Sequence, residues 1–351
     1  MSPTSPPYPE YKLALLGFGN VGQAMIELLI EKKKTLQDDL GIYFKVVGAA
    51  SGSHGIGIDP RGYSLEKLLI SYREGTSLDE ISHLPVSGSQ EFIQKCGADV
   101  LFETTPVNYQ DGQPALDYIK EGIKKGMHVI TSNKGPVVHG YQELTELAQR
   151  NGVSFFFESA VMDGAPVFSI FRCGLPGAQV KAISGIFNST TNLILTRMET
   201  GETLEEAIRY AQSIGIAETD PSGDVDGWDA AVKVAALVTV FMDKPLKPDQ
   251  VERTGIRGLT PDLIKDAREN GKRWKLVCYA RLDDQSPTGV FAKVHPEQVD
   301  QNSPFYNIMG TTSILQVDSD VLGELSLIEK DPSPKTTAYG LLADFLNAVQ
   351  D

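Results

Sequence analysis

The first half of the chain repeats one rhythm, a short apolar run followed by an amphipathic stretch. YKLALL (11–16) is apolar and ends at a glycine turn, so it reads as a buried strand. From Val21 to about residue 36 the apolar positions Val21, Met25, Leu28 and Leu29 fall on one stripe, which predicts a helix. FKVVGAA (44–50), DVLFETTP (99–106) and MHVITSNKG (127–135) read as further strands. Helical stretches are expected over about 114–125 and 140–150, the latter leading into VSFFFESAV (153–161). Strands alternating with helices imply an α/β arrangement, a parallel sheet covered on both faces. Beyond about Gly164 the rhythm changes. Helical patterns gather at 190–214 and 226–241, and β-like runs at 180–187, 275–282, 290–294 and 313–317, which is α+β composition. TTAYGLLADFLNAVQD (336–351) reads as one amphipathic C-terminal helix. The expected division is a polar tail over 1–10, a first domain over 11–158, a second over 159–330 and a terminal segment over 331–351.

With 351 residues the chain has room for two cores, and 41% apolar and 22% charged residues are ordinary for a globular protein. A formal charge of −14 argues against a nucleic-acid or anionic-membrane partner, either of which calls for a basic surface. Lys32, Lys33 and Lys34 form the longest basic run, at a predicted helix end where they complement the dipole. Cys96, Cys173 and Cys278 are far apart and form no CxxC pair, so neither a disulfide framework nor a zinc site is expected. The opening MSPTSPPYPE has no apolar core of a secretory signal, and no run approaches membrane-spanning length. A soluble, cytoplasmic protein is expected.

Gly17-Phe18-Gly19-Asn20-Val21-Gly22 is G-x-G-x-x-G placed directly after a strand and opening a helix. In that setting Gly17 permits the tight turn, Gly19 lets the backbone approach a pyrophosphate, and Gly22 allows close helix–strand packing. The helix N-terminus would then face phosphates with free N–H groups. A glycine-rich turn without a ligand is the plainer reading, but strand and helix both stand where a dinucleotide requires them. The second strand ends in Ala50-Ser51-Gly52-Ser53-His54, with no acid to hold a ribose 2′-hydroxyl and with Arg61 further along. That absence removes a repulsion against a 2′-phosphate, to which Ser51 and Ser53 can donate, so the reading leans to NADP.

TSNKGPV (131–137) follows a strand predicted to end beside the cofactor, and Lys134 in that turn is either a ligand-binding residue or a solvated loop lysine. The stretch GIAETDPSGDVDGWDAAVK (215–233) concentrates Glu218, Asp220, Asp224, Asp226 and Asp229, with no basic side chain before Lys233. A helix starting near Asp226 stacks Asp229 and Lys233 at i, i+4 on an otherwise apolar surface. Asp224 and Asp226 as helix caps are one reading. An oxygen-ligand calcium loop is another, but DPSGDVDG lacks the EF-hand spacing and its closing Glu. A third is a site for a substrate bearing an ammonium group, with acids holding the amine and hydroxyl and lysines holding a carboxylate and trading the hydroxyl proton.

These residues bring out a likeness. GFGNVG (17–22), ETTP (103–106), TSNKGP (131–136), ESAV with its following Gly and Pro (158–166), GIFNSTTNLILTRM (185–198) and AETDPSGDVDGWDAAVK (217–233) together resemble homoserine dehydrogenase in its short form, without a C-terminal regulatory domain. The resemblance implies a Rossmann nucleotide-binding domain, an α+β domain for substrate binding and dimerisation, and a C-terminal helix returning to the nucleotide domain. It implies NAD(P)-dependent interconversion of L-homoserine and L-aspartate 4-semialdehyde, on the route to threonine and methionine. By the same likeness Lys233 is the general acid and base, with Lys134 and Asp229 as its catalytic companions. Glu218, Asp224, Asp229 and Lys134 then bind substrate. Gly17, Phe18, Gly19, Asn20, Val21, Gly22, Ser51, Thr104, Thr105, Pro106, Asn133, Lys134, Gly215 and Gly340 bind cofactor. Glu158, Val161, Asp163 and Ala165 resemble a loop holding a monovalent cation such as sodium, mostly through main-chain oxygens. A homodimer or dimer of dimers is implied.

The chain departs from the family pattern in particular places. Ser189 stands where a glycine is common, Leu193 where an aromatic is usual, and Met162-Asp163 replace small residues in the cation loop. EKDPSPKTTAYG (329–340) stands where a glycine-rich loop normally approaches the nicotinamide. A related amino-acid or semialdehyde dehydrogenase, or a nucleotide-binding sensor without turnover, would share much of this scaffold.

Overall fold

The computed structural model describes residues 9–350, so most of the expected tail over 1–10 lies outside the described residues. The chain divides into two compact units, one running to Gly164 and resuming at Ser333, the other from Ala165 to Pro332.

The first unit is built on a sheet of strands β1 (Glu10–Leu16), β2 (Tyr43–Ser51), β3 (Gly55–Ile58), β4 (Val100–Glu103), β5 (His128–Thr131) and β6 (Phe155–Phe156). Their order is β3-β2-β1-β4-β5-β6, parallel throughout except where β3 runs against β2. Helices α1 (Asn20–Lys34), α2 (Leu65–Arg73), α3 (Ser89–Lys95), α4 (Ala115–Lys124) and α5 (Lys134–Asn151) connect the strands. Met25, Leu28 and Leu29, the stripe expected from the sequence, are buried in the core with Leu13, Leu15 and Phe102. The strand order reverses between β2 and β4 on either side of β1. The crevice beyond their carboxyl ends is where open α/β sheets take ligands.

The second unit has a sheet of β7 (Val180–Ile186), β8 (Glu252–Arg253), β9 (Arg273–Leu282), β10 (Val290–Val299), β11 (Ser313–Ser319) and β12 (Gly323–Glu329), in the order β12-β11-β7-β9-β10-β8. It is antiparallel except for the short β10–β8 pair. Helices α6 (Val167–Ser169), α7 (Ser189–Met198), α8 (Leu204–Ser213), α9 (Ser222–Val225), α10 (Trp228–Phe241) and α11 (Pro261–Glu269) complete it. The last helix, α12 (Pro334–Gln350), belongs to the first unit. Its Ala338, Leu341, Leu342 and Phe345 join the core of Leu13 and Met25, and Tyr11 and Phe102 pack edge-on against the Phe345 ring at 5.9 and 6.1 Å.

Several boundaries differ from the sequence reading. The helix expected from about 140 begins at Lys134, because the Asn133 side chain accepts from Gly135 N–H and caps it. The single pattern over 190–214 is two helices. Gly201 at φ 98° breaks it, and Thr203 and Glu206 close a capping box that starts α8. The helix expected from Asp226 starts at Trp228, because Gly227 sits at φ 78°. Segment 329–340 is no open loop: β12 runs to Glu329 and α12 starts at Pro334. Among the described residues no helix is long and apolar enough to cross a membrane, and the cysteines are free thiols.

Candidate active site

In the turn between β1 and α1, Gly17 and Gly22 have the steric roles their spacing predicts. Gly17 has φ 109°, and a Cβ there would come within 2.5 Å of the Thr104 main chain, so only glycine fits beside β4. A Cβ on Gly22 would lie 2.9 Å from Gly17 O, which ties helix to strand. Gly19 has nothing within 4 Å of a built Cβ, leaving its backbone open to a ligand. Gly19 also caps α1 without any side-chain bond, and no acid stands in the first turn, so the helix N-terminus can receive an anion. Phe18 is buried edge-on against Tyr72 at 4.9 Å, Asn20 is exposed and Val21 half-buried. This cradle fits a dinucleotide pyrophosphate.

The ends of β4 and β5 supply the neighbouring groups. Thr104 Oγ1 donates to Gly17 O at 2.6 Å, which locks the glycine turn to β4. Asn133 Nδ2 donates to Thr105 O at 3.2 Å, and Pro106 follows, exposed. Lys134, expected in a loop, is instead the half-buried first residue of α5. Beyond β2, Ser51 Oγ lies 3.3 Å from the Tyr72 hydroxyl, and Ser53 Oγ lies 2.8 Å from His54 Nδ1. Arg61 is not with them. Its Nε bonds Asp59 Oδ1 at 3.2 Å, and Asp59 is fastened to Val47 in the middle of β2.

In the second unit the acidic stretch sorts itself. Lys233 Nζ donates to Phe187 O at 2.7 Å and lies 3.1 Å from Asp229 Oδ2, both side chains largely buried at 15% and 10% exposure. Asn188 Nδ2 donates to Asp224 Oδ1 at 2.6 Å and to Asp229 Oδ2 at 2.9 Å, so one amide holds the two carboxylates together. Burial, and next the Asp229 charge, push Asp224 above the ordinary carboxylate range, while Asn188 and Lys233 pull it back. Two carboxylates against one ammonium leave a negative balance suited to a cationic group. Capping does not account for this, since the N-cap of α10 is Gly227 with no side-chain bond. Cys278 on the adjacent β9 is pushed up to about 12 by burial, so it stays a thiol.

The remaining predicted residues lie elsewhere. Asp226 pairs with Arg257, whose Nη2 lies 3.3 Å from Oδ2, and Asp220 accepts from Ser222 N–H at 3.0 Å within its own turn. Gly215 and Glu218 are exposed on the connection between α8 and α9, where Gln212 Nε2 donates to Glu218 O at 3.0 Å. Gly340, expected to touch cofactor, is buried inside α12, where a Cβ would come within 2.2 Å of Ser159 Oγ. Glu158 N–H donates to Asp344 Oδ2 at 2.7 Å, and Val161 is buried. Asp163, at φ 39°, accepts from Thr337 Oγ1 at 2.8 Å, whereas Ala165 opens the other unit. Among the described residues no cluster of three or more His, Cys, Asp or Glu side chains is arranged to hold a metal. Sequence reasoning missed Asn188, although an Asn directly before a helical run is a cap signal. It also missed Arg253, whose guanidinium lies 3.7 Å over the Trp228 ring, and Arg257, which arrive from a distant segment.

A glycine cradle at the switch point of a largely parallel sheet defines the class of dinucleotide-binding proteins. Residues 17–158 match the family model "Homoserine dehydrogenase, NAD binding domain", and residues 166–346 match "Homoserine dehydrogenase". The chain therefore belongs to the homoserine dehydrogenase family. It is 34% identical to the NAD(+)-dependent homoserine dehydrogenase of Pseudomonas canavaninivorans, over 97% of each chain. A crystal structure of a putative homoserine dehydrogenase from Archaeoglobus fulgidus aligns with a TM-score of 0.83 at 31% identity, over 96% of this chain and 98% of that one. A hyperthermophilic archaeal homoserine dehydrogenase in complex with NADPH aligns with a TM-score of 0.80 at 28% identity, over 97% of this chain and 98% of that one.

Proposed function

We propose that this chain interconverts L-homoserine and L-aspartate 4-semialdehyde using NAD(P). The observation that carries the reading is the array of Lys233, Asp229, Asn188 and Asp224, a lysine fixed at two points beside paired carboxylates. Asp224 and Asp229 bind the substrate ammonium, Glu218 is a further substrate ligand, and Lys134 binds the substrate carboxylate. In oxidation Lys233 enters as the neutral amine and takes the hydroxyl proton. In reduction it returns a proton to the carbonyl oxygen. Asp229 holds the Lys233 amine in line through their ion pair, and the Phe187 carbonyl fixes a second direction. When bound, the nicotinamide supplies the two-electron redox chemistry, and the protein supplies orientation and electrostatics.

The cofactor residues are the 17–22 turn, Ser51, Thr104, Thr105, Pro106, Asn133, Lys134 and Gly215. Gly340 is left out because of its burial in α12. NADP is the preferred form on this reading. No acid follows β2, and Ser51, Ser53 and His54 offer polar groups to a 2′-phosphate. The proposal extends to a cytoplasmic homodimer or dimer of dimers. It also includes a monovalent cation on main-chain oxygens of Glu158, Val161, Asp163 and Ala165, since hard oxygen donors suit such an ion. Rates in sodium, potassium and choline salts of equal ionic strength test the cation, and equal rates discard it. Steady-state oxidation of L-homoserine with NAD and NADP in parallel tests the whole reading. Turnover with a higher kcat/KM for NADP is expected. Turnover of a different amino alcohol alone, or binding without turnover, overturns it.

A further inference from the structure

Glu103, the last residue of β4, is fully buried and serves as the hub of a closed ring of hydrogen bonds. Its Oε1 accepts from Thr105 N–H at 2.8 Å and from the Thr105 hydroxyl. Its Oε2 accepts from the Thr131 hydroxyl on β5 at 2.6 Å. Thr131 Oγ1 in turn accepts from Asn133 N–H at 2.8 Å, and Asn133 Nδ2 donates back to Thr105 O at 3.2 Å. Asn133 Oδ1 accepts from Gly135 N–H at 3.0 Å, so the ring ends on the first turn of α5, which begins with Lys134.

Taking a carboxylate out of water is costly, and two adjacent strands can be held together by apolar side chains at less cost. What a carboxylate adds is direction. Its two oxygens fix the main chain leaving β4 and, through Thr131 and Asn133, the main chain leaving β5. Both lie at the carboxyl edge where such a sheet takes its nucleotide. Burial pushes Glu103 above the usual carboxylate range, and the bonds from Thr105, Thr131 and Asn133 draw it back.

We propose that Glu103 is a positioning residue for dinucleotide binding, acting through Thr105, Thr131 and Asn133 to hold the ends of β4 and β5 and the start of α5. The inference rests on the reading of this unit as the NAD(P)-binding part of a homoserine dehydrogenase. It is tested with Glu103→Gln, Glu103→Ala and Thr131→Val in the full chain. Affinity for NADPH and NADH is measured by nucleotide fluorescence, beside homoserine KM at saturating cofactor and the thermal melt. Gln keeps an acceptor for Thr105 N–H and binds dinucleotide within about threefold of the parent. Ala weakens dinucleotide binding by about tenfold or more, with homoserine KM unchanged, and Thr131→Val moves in the same direction. Variants that melt lower yet bind dinucleotide like the parent overturn the proposal, as does a Gln variant as weak as Ala. If the Ala variant does not fold, Thr131→Val with parental affinity is sufficient to overturn it. The comparison reads dinucleotide affinity directly. A parent protein inert toward homoserine would overturn the substrate reading and leave this result standing.

Discussion

Asn188 uses both ends of one amide. Its Oδ1 accepts from Thr191 N–H at 2.7 Å and caps α7, while its Nδ2 binds Asp224 and Asp229. Asn188→Ala therefore loses a cap worth about 1 kcal/mol, and it also loses the donor that offsets repulsion between two neighbouring carboxylates. A lower melting temperature together with a higher homoserine KM is expected. A lower melting temperature alone would reduce Asn188 to a cap. Asp229→Ala should raise KM and lower kcat together, since Asp229 touches both the ligand end of the cluster and Lys233. An effect on the melting temperature only contradicts that. If Asp224 binds the substrate ammonium as proposed, it sets a pH dependence. Because burial and Asp229 raise it, it takes up a proton at a higher pH than a free aspartate, and a protonated Asp224 no longer attracts an ammonium. Homoserine KM should rise as pH falls from neutrality toward the acid side. The onset should lie above the ~3.9 of free Asp and should be lost in Asp224→Asn.

At the level of elements, the β1–α1 turn was the most legible part of the sequence, because Gly17 and Gly22 each answer one local steric demand. Gly17→Ala puts a methyl against the Thr104 backbone at φ 109°. It should cost at least ~1–2 kcal/mol in stability and weaken dinucleotide binding in titrations. Local signals also carried β1, β2, β4, β5 and the i, i+4 pair of Asp229 and Lys233. The onset of α8 was written in Thr203 and Glu206, but apolar periodicity ran through the break and masked it. Partnerships across long sequence separations left no trace, which is why Arg257 on Asp226 and the buried Lys275 emerge only in three dimensions. Lys275 on β9 is fully buried, donates to Asn192 Oδ1 at 2.9 Å, and is lowered to about 8 by burial. Unfolded, it titrates near ~10.4. Between those values the unfolded chain holds the extra proton, so the stability contributed by this group rises with pH across that window and is flat outside it. Denaturant melts of the parent and Lys275→Met should differ by an amount that shifts on the order of 2 kcal/mol in favour of the parent between pH 7 and pH 10. A pH-independent difference would contradict this account of Lys275.

Over the whole chain, the first unit is assembled from both ends of the sequence. The last helix supplies Leu341, Leu342 and Phe345 to the core that holds β1 and α1. Burying those side chains contributes on the order of 5–9 kcal/mol as an upper bound, comparable to the stability of an entire domain. A chain ending after residue 332 should lose its cooperative melt and its affinity for dinucleotide. A truncated chain that binds NADPH normally would contradict this role for α12. The terminal helix was legible from its apolar pattern, but the burial of Gly340 against Ser159 was not, because it depends on how a distant loop packs. On the proposed function, the amine of Lys233 moves the proton for homoserine oxidation. Its most direct test is kcat for L-homoserine in the parent and Lys233→Ala, with NADPH affinity measured on the same samples. A loss of about 10²–10⁴ in kcat at parental cofactor affinity is expected. Near-parental turnover in the alanine variant would contradict it.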